Sequence, residues 1–374
     1  MVLDYTRSVF LYALFMVAYF LPQVLMPLLA GPLLDRFSRR KAIYTLDFFS
    51  AAMYTAVFAV IATHSFNYPL LLGMAVLAGV VDSTYQVAYD SFFPCLISEG
   101  CMSRAYSIAS VIPSLSAVMV PVAAWAYKLI GLAPIFAFNA ATFLIAAVLE
   151  TQIRADESHI RPGGEQNLAR FQHDFREGVE YLRSERGLST ITLYFAVNAL
   201  LSGGVGTLLL PYFKKAPGLG YFLYTCVTGC MVAGRLLGGV AHYLRKLPAR
   251  YKFRIALGVY FTDTLVEGSL LYFPVPAMMA LSLCDGSLCV TSYNIRIAAT
   301  QNYIPDEKRA RFNGVFLMAT TGGMLFGQLL AGLLGQFLPI RAVVTGLMAC
   351  NLLAILLIMV RNRRFVQPIY NKDL

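Results

Sequence analysis

Between Val9 and Leu34 the chain carries no charged side chain. A helix needs about 20 apolar residues to cross the hydrocarbon core of a bilayer, and this run exceeds that. Similar runs follow to the C-terminal end. Eleven are read, at 9–34, 41–62, 68–92, 104–127, 131–150, 188–212, 218–243, 252–273, 275–298, 309–334 and 338–360. Backbone amides have no water to bond inside lipid, so each run is expected to be helical and the fold to be an all-α membrane protein. A secretory leader would be shorter and would precede a soluble chain. With 58% of residues hydrophobic and only 13% charged, the whole chain has the character of a membrane bundle.

The net charge of +10 has the same cause. Basic residues crowd alternate connectors, among them Arg36, Arg39, Arg40, Lys41, Arg104, Arg176, Arg245, Lys308, Arg311 and Arg361, while the opposite set holds Arg7, Lys128, Lys214, Lys215 and Arg341. The basic side is expected to face the cytoplasm, which places the C-terminus inside and the chain in the inner (plasma) membrane. No zinc-finger spacing, RNA-binding signature or basic helix with interleaved aromatics occurs, so no nucleic-acid partner is expected. The seven cysteines form no CxxC pair and the four histidines lie far apart, so neither a metal nor a disulfide framework is expected.

The chain also resembles itself. Gly31 falls on Gly238 and Pro69 on Pro276, an offset of 207 residues in both cases, and "LISEGCMSRA" from Leu96 falls on "YIPDEKRARF" from Tyr303 at the same offset. Parallel repeats of this kind build transporters from two similar halves. The span at 188–212 would have its partner before Met1, so the first helix of a six-plus-six design is expected to be missing. The divisions expected are 1–150 for the first half, 151–187 for a connector and 188–374 for the second half. Within the connector Leu168, Phe171, Phe175, Val179 and Leu182 recur at helical spacing, the mark of an amphipathic helix.

The stretch "GPLLDRFSRRK", Gly31 to Lys41, resembles the loop between the second and third helices of the major facilitator superfamily, G-x-L-x-D-R-x-G-R-[RK]. Gly31, Leu33, Asp35, Arg36, Arg39 and Arg40 match, and Ser38 replaces the usual glycine. "PCLISEGCMSRAYSIAS" and "FQHDFREGVEYLRSERGL" look like segments of the branch that holds macrolide efflux pumps and siderophore exporters. The resemblance implies a gating role for the motif. Asp35 would meet the positive end of a neighbouring helix beginning near Arg309, and the arginines would also fix topology at anionic headgroups. "SAVMVPVAAW" keeps only Pro121 of the family's glycine-rich antiporter motif, a departure from that pattern, whereas Gly323, Gly327 and Gly332 suit close helix packing.

Ionisable groups inside membrane helices are costly and face the bundle interior. Asp82, Tyr85 and Tyr89 share one helix face and are candidates for substrate or proton binding, Asp82 foremost. Asn198 and Ser202 on one helix, and Asp285 and Ser292 on another, are candidates for the same cavity. Arg235 and Asp263 lie at matching depths, and an ion pair between them is expected. Arg296 lies near a helix end, where snorkelling accounts for it. No nucleophile–base pair, metal motif or phosphate loop is present, so no catalytic residue, no cofactor and no enzyme activity are expected. The leading reading is a monomeric secondary transporter that exports an amphiphilic small molecule, with proton coupling as one mode and membrane lipid as its surroundings. The alternative is a non-transporting membrane protein or sensor derived from such a transporter.

Overall fold

The computed structural model describes residues 2–34, 38–62, 67–96, 119, 122, 123, 125–127, 129–153, 168–244 and 248–371. Among these every regular element is helical. The helices are α1 (Val2–Thr6), α2 (Val9–Leu34), α3 (Arg39–Ala62), α4 (Tyr68–Phe92), α5 (Leu132–Glu150), α6 (Leu168–Ser184), α7 (Arg186–Lys215), α8 (Tyr221–Leu244), α9 (Lys252–Ser269), α10 (Val275–Tyr303), α11 (Asp306–Phe337), α12 (Ile340–Ala354) and α13 (Arg363–Tyr370). A π-helical turn, Ile355–Val360, extends α12. Nine of the helices among the described residues are long and apolar enough to cross a membrane. α9 is not one of the nine, because Lys252, Arg254, Asp263 and Glu267 interrupt its 18 residues. The span expected at 104–127 lies almost wholly outside the described residues.

The chain divides into two compact units, residues 1–7 with 15–172 and residues 8–14 with 173–374. In the N-terminal unit α3 packs along α5 and against α4. Tyr54 of α3 stacks on Phe136 and Phe143 of α5, at centroid distances of 6.0 and 5.3 Å. Arg40 Nη2 donates to the Thr151 carbonyl at 2.8 Å, tying the start of α3 to the end of α5. α4 begins at Tyr68, carries Pro69 in its first turn and is capped by Asn67, whose Oδ1 accepts from the Leu70 amide at 3.1 Å. Gly79 lets α4 approach the Tyr19 carbonyl of α2, where a Cβ would stand 2.1 Å from the oxygen. Phe138, Leu144 and Ile145 of α5 are exposed, as apolar residues facing lipid would be.

In the C-terminal unit the dominant contacts are α7 with α11 and α8 with α10, while α9 packs on α10, α12 on α7, and α9 and α12 on each other. Leu208, Phe213, Val344 and Met348 belong to one buried cluster, and Ile191, Tyr194, Ala256 and Met359 to another. α6 lies in the connector, and its last turns dock on this unit. Arg311 Nη1 pairs with Glu177 Oε2 at 2.9 Å, Lys308 Nζ lies 4.5 Å from the Tyr181 ring centroid, and Tyr303 donates to Glu185 at 3.0 Å. Burial pushes the Tyr181 phenol above its ordinary value. α13 closes the unit, with Val366, Ile369 and Tyr370 fully covered.

Candidate functional site

Inside the N-terminal unit α2, α3, α4 and α5 enclose a cavity of about 400 Å³, within the range that takes small organic ligands. Four aromatic side chains line it, Tyr19, Tyr54, Tyr85 and Phe143, together with Ser50, Asn139 and Thr142 and three acids. Asp82 is open to the cavity and accepts from the Tyr19 hydroxyl at 3.1 Å and from Gln23 Nε2 at 3.3 Å, both through Oδ2. Tyr85 donates to Glu150 Oε1 at 3.1 Å. Glu150 Oε2 is buried with no donor on it among the described residues, and the carboxyl of Asp47, only 4% exposed, lies within hydrogen-bonding reach of Glu150. Such an arrangement leaves acceptor capacity without donors, which a cation, a proton or a donor-rich ligand would fill.

The residues predicted from sequence divide between this cavity and the other unit. Asp82 and Tyr85 line it. Tyr89 does not; its ring stacks between Tyr85 and Phe93, at 6.3 and 5.3 Å. Asp47 and Glu150 were not foreseen.

Asn198, Ser202 and Asp285 lie in the C-terminal unit, within a second polar assembly among α7, α9, α10 and α12. Ser202 donates to Glu267 Oε2 at 3.0 Å. Asn351 Nδ2 donates both to Asn198 Oδ1 and to Thr264 Oγ1, each at 2.9 Å. Asn198 and Ser202 are therefore bound into this assembly. Asp263 of α9 and Asp285 of α10 bring their carboxyls within hydrogen-bonding reach of each other, with Arg235 and Glu267 at electrostatic range. Ser292 is half-buried further along α10.

The expected Arg235–Asp263 ion pair is corrected here. Arg176–Glu180 and Arg311–Glu177 pair within 4.0 Å, and no such contact joins Arg235 to Asp263. The reason is packing: α10 lies against both α8 and α9, so Asp285 takes the place beside Asp263 and the exposed Arg235 acts from a distance. Arg296 does not snorkel outward but turns among aromatic rings.

Of the motif at the end of α2, Asp35 and Arg36 lie outside the described residues, as do the surroundings of Gly31 and the side chain of Arg39. Arg40 makes the bond to Thr151 already given.

Comparison with known proteins places the molecule among membrane transporters in fold. A profile described as Major Facilitator Superfamily matches residues 1–266. An uncharacterized MFS-type transporter of Bacillus subtilis (strain 168), YkuC, is 23% identical over 284 residues, covering 72% of this chain. The match spans 65% of that relative's own length. The crystal structure of the nucleoside transporter NupG superposes with a TM-score of 0.71 at 11% identity, covering 95% of this chain and 91% of the other. A bacterial homologue of the iron transporter ferroportin, in its inward-facing state, gives a TM-score of 0.65 at 17% identity, over 98% and 91% of the two chains. At such identities the two structural likenesses speak for the fold.

Proposed function

Because the chain belongs to the Major Facilitator Superfamily, we propose that it is a secondary transporter that exports an amphiphilic small molecule carrying a basic or donor-rich group. The cavity in the N-terminal unit carries this reading: its wall holds Asp82, Asp47 and the donor-poor carboxyl of Glu150, and aromatic rings offer faces for an apolar or cationic body. The likeness of two connector segments to macrolide and siderophore exporters supports export, and the basic connectors support an inner-membrane location with the C-terminus in the cytoplasm.

Coupling to protons is part of the proposal. The carboxyls of Asp263 and Asp285 lie close to each other in the C-terminal unit, with Arg235 and Glu267 nearby, and a proton shared between the two acids would relieve their like-charge repulsion. The motif residues Gly31, Asp35, Arg36, Arg39 and Arg40 would gate the cytoplasmic side, as the family resemblance implies.

The test is transport by the purified full chain in proteoliposomes, with a cationic dye, a macrolide and a siderophore offered in turn, with and without a pH gradient. Gradient-stimulated movement of at least one compound is expected. A protein that moves none of them, and shows no exchange of preloaded compound, refutes the reading.

A further inference from the structure

Arg296 stands on α10 seven residues before Tyr303, about 10 Å along the helix axis from that end. Its guanidinium carbon lies 4.5 Å from the ring centroid of Phe316 on α11 and 5.2 Å from those of Phe195 on α7 and Tyr293. Rings satisfy the faces of a guanidinium. Its five N–H groups point outward in the plane, where only acceptors serve them.

Among the described residues no acceptor does so. The Arg296 side chain makes neither a hydrogen bond nor an ion pair with them. The nearby hydroxyls of Tyr260 and Tyr370 are engaged with each other at 2.9 Å. Its nitrogens are not sealed in the protein either, since none is among the buried polar atoms without partners. Arg341 is the internal contrast. It too lies against two rings, Tyr212 and Tyr272, yet donates through Nε and Nη2 to the Tyr212 hydroxyl, at 2.9 and 2.6 Å. The Arg296 cage has the aromatic half of that arrangement and lacks the acceptor.

We propose that Arg296, framed by Phe195, Tyr293 and Phe316, is a binding site for an oxyanion carried on an apolar body. The in-plane N–H groups grip a carboxylate or phosphate bidentately, and the rings exclude water and flank the ligand's apolar portion. The ligand chemistry has two sources, a soluble amphiphilic acid or the phosphate of an anionic lipid. As part of substrate recognition the site rests on the transport reading above; as a binding site it does not. It makes an anion or zwitterion the substrate class that this unit selects.

Phenylglyoxal labels accessible guanidinium groups, and peptide mass spectrometry reads Arg296 and Arg341 separately. With the full chain in phosphatidylcholine nanodiscs, benzoate is expected to slow labelling of Arg296, about tenfold near ten dissociation constants. Arg341 is expected to be unaffected, and the neutral analogue benzamide to have no effect. Nanodiscs containing phosphatidylglycerol separate the sources: protection there, with benzoate inert, assigns the site to lipid phosphate. An Arg296 that resists labelling without any anion, labels at one rate throughout, or is protected equally by benzamide overturns the proposal. Protection without transport in proteoliposomes would remove the transport reading and leave the site. Transport without protection would remove only the site.

Discussion

Asp82 shows most directly how a single side chain can select a ligand. Its Oδ2 already holds Tyr19 and Gln23, so Oδ1 and the net charge remain for whatever enters the cavity. Replacement by asparagine keeps the shape and removes the charge. Asp82→Asn is expected to raise KM for a cationic dye about tenfold, equivalent to about 1.4 kcal/mol, and to leave a neutral substrate unchanged. Equal shifts for both compounds would show that the charge does not recognise substrate. Asp82 and Tyr85 were legible because they break a long apolar run. Asp47 and Glu150 were not, although both line the cavity. Glu150 ends its helix before a basic connector and reads as an interface residue, and Asp47 follows the basic cluster at Arg39 to Lys41 closely enough to read the same way. The usable signal was that Asp47 is the sole acid within α3. Arg235 and Asp263 failed for a different reason: depth along two helices says nothing of which third helix lies between them.

At the level of elements, hydropathy located the helices well because lipid permits little else, but it could not show how closely they approach. The crossing of α8 and α10 is set by paired glycines. A Cβ on Gly286 would stand 1.9 Å from the Met231 carbonyl oxygen, and one on Gly234 would stand 1.9 Å from that of Leu283. Both neighbours are backbone, so a side chain can be fitted only by moving the helices apart. Gly286→Leu is expected to cost about 1–3 kcal/mol or more and to lower the melting temperature of the purified protein; an unchanged melting curve would deny that this contact fixes the crossing. A second prediction concerns α13. Burial pushes the Tyr370 phenol from 10.0 up to about 12, and its hydroxyl pairs with that of Tyr260 at 2.9 Å. A raised value means that the folded state holds the proton more firmly. The stabilisation is therefore full below pH 10 and lost as pH climbs from 10 toward about 12. Tyr370→Phe is expected to cost about 1 kcal/mol near neutrality, through the lost hydrogen bond, and to flatten this alkaline loss. A mutant with the same alkaline limb as the parent protein would assign the titration elsewhere.

For the whole molecule, the two units hold different chemistry. The N-terminal unit has a cavity onto which Asp82 opens, whereas the C-terminal unit gathers the half-buried Asp263, Asp285 and Glu267 in one assembly, with Glu267 bonded to Ser202. The division of labour proposed is that the N-terminal unit binds the basic part of the substrate, and that in the C-terminal unit the acid pair, apart from the Arg296 site, couples. Coupling makes a demand that binding does not: an imposed pH difference of about one unit can sustain about tenfold accumulation for each proton exchanged. Asp285→Asn cannot share a proton with Asp263 in the same way, yet it leaves the cavity of the other unit untouched. In proteoliposomes the variant is expected to bring gradient-driven accumulation down to a ratio of about 1, while exchange of preloaded for external substrate, which needs no net proton movement, continues at a comparable rate. Asp82→Asn should show the reverse, weakening exchange and accumulation of a cationic substrate together. If Asp285→Asn still accumulates substrate as the parent does, the acid pair serves packing alone. If both processes vanish although the variant elutes and melts like the parent, the pair belongs to the transport path itself, and its coupling role is not separable from substrate movement.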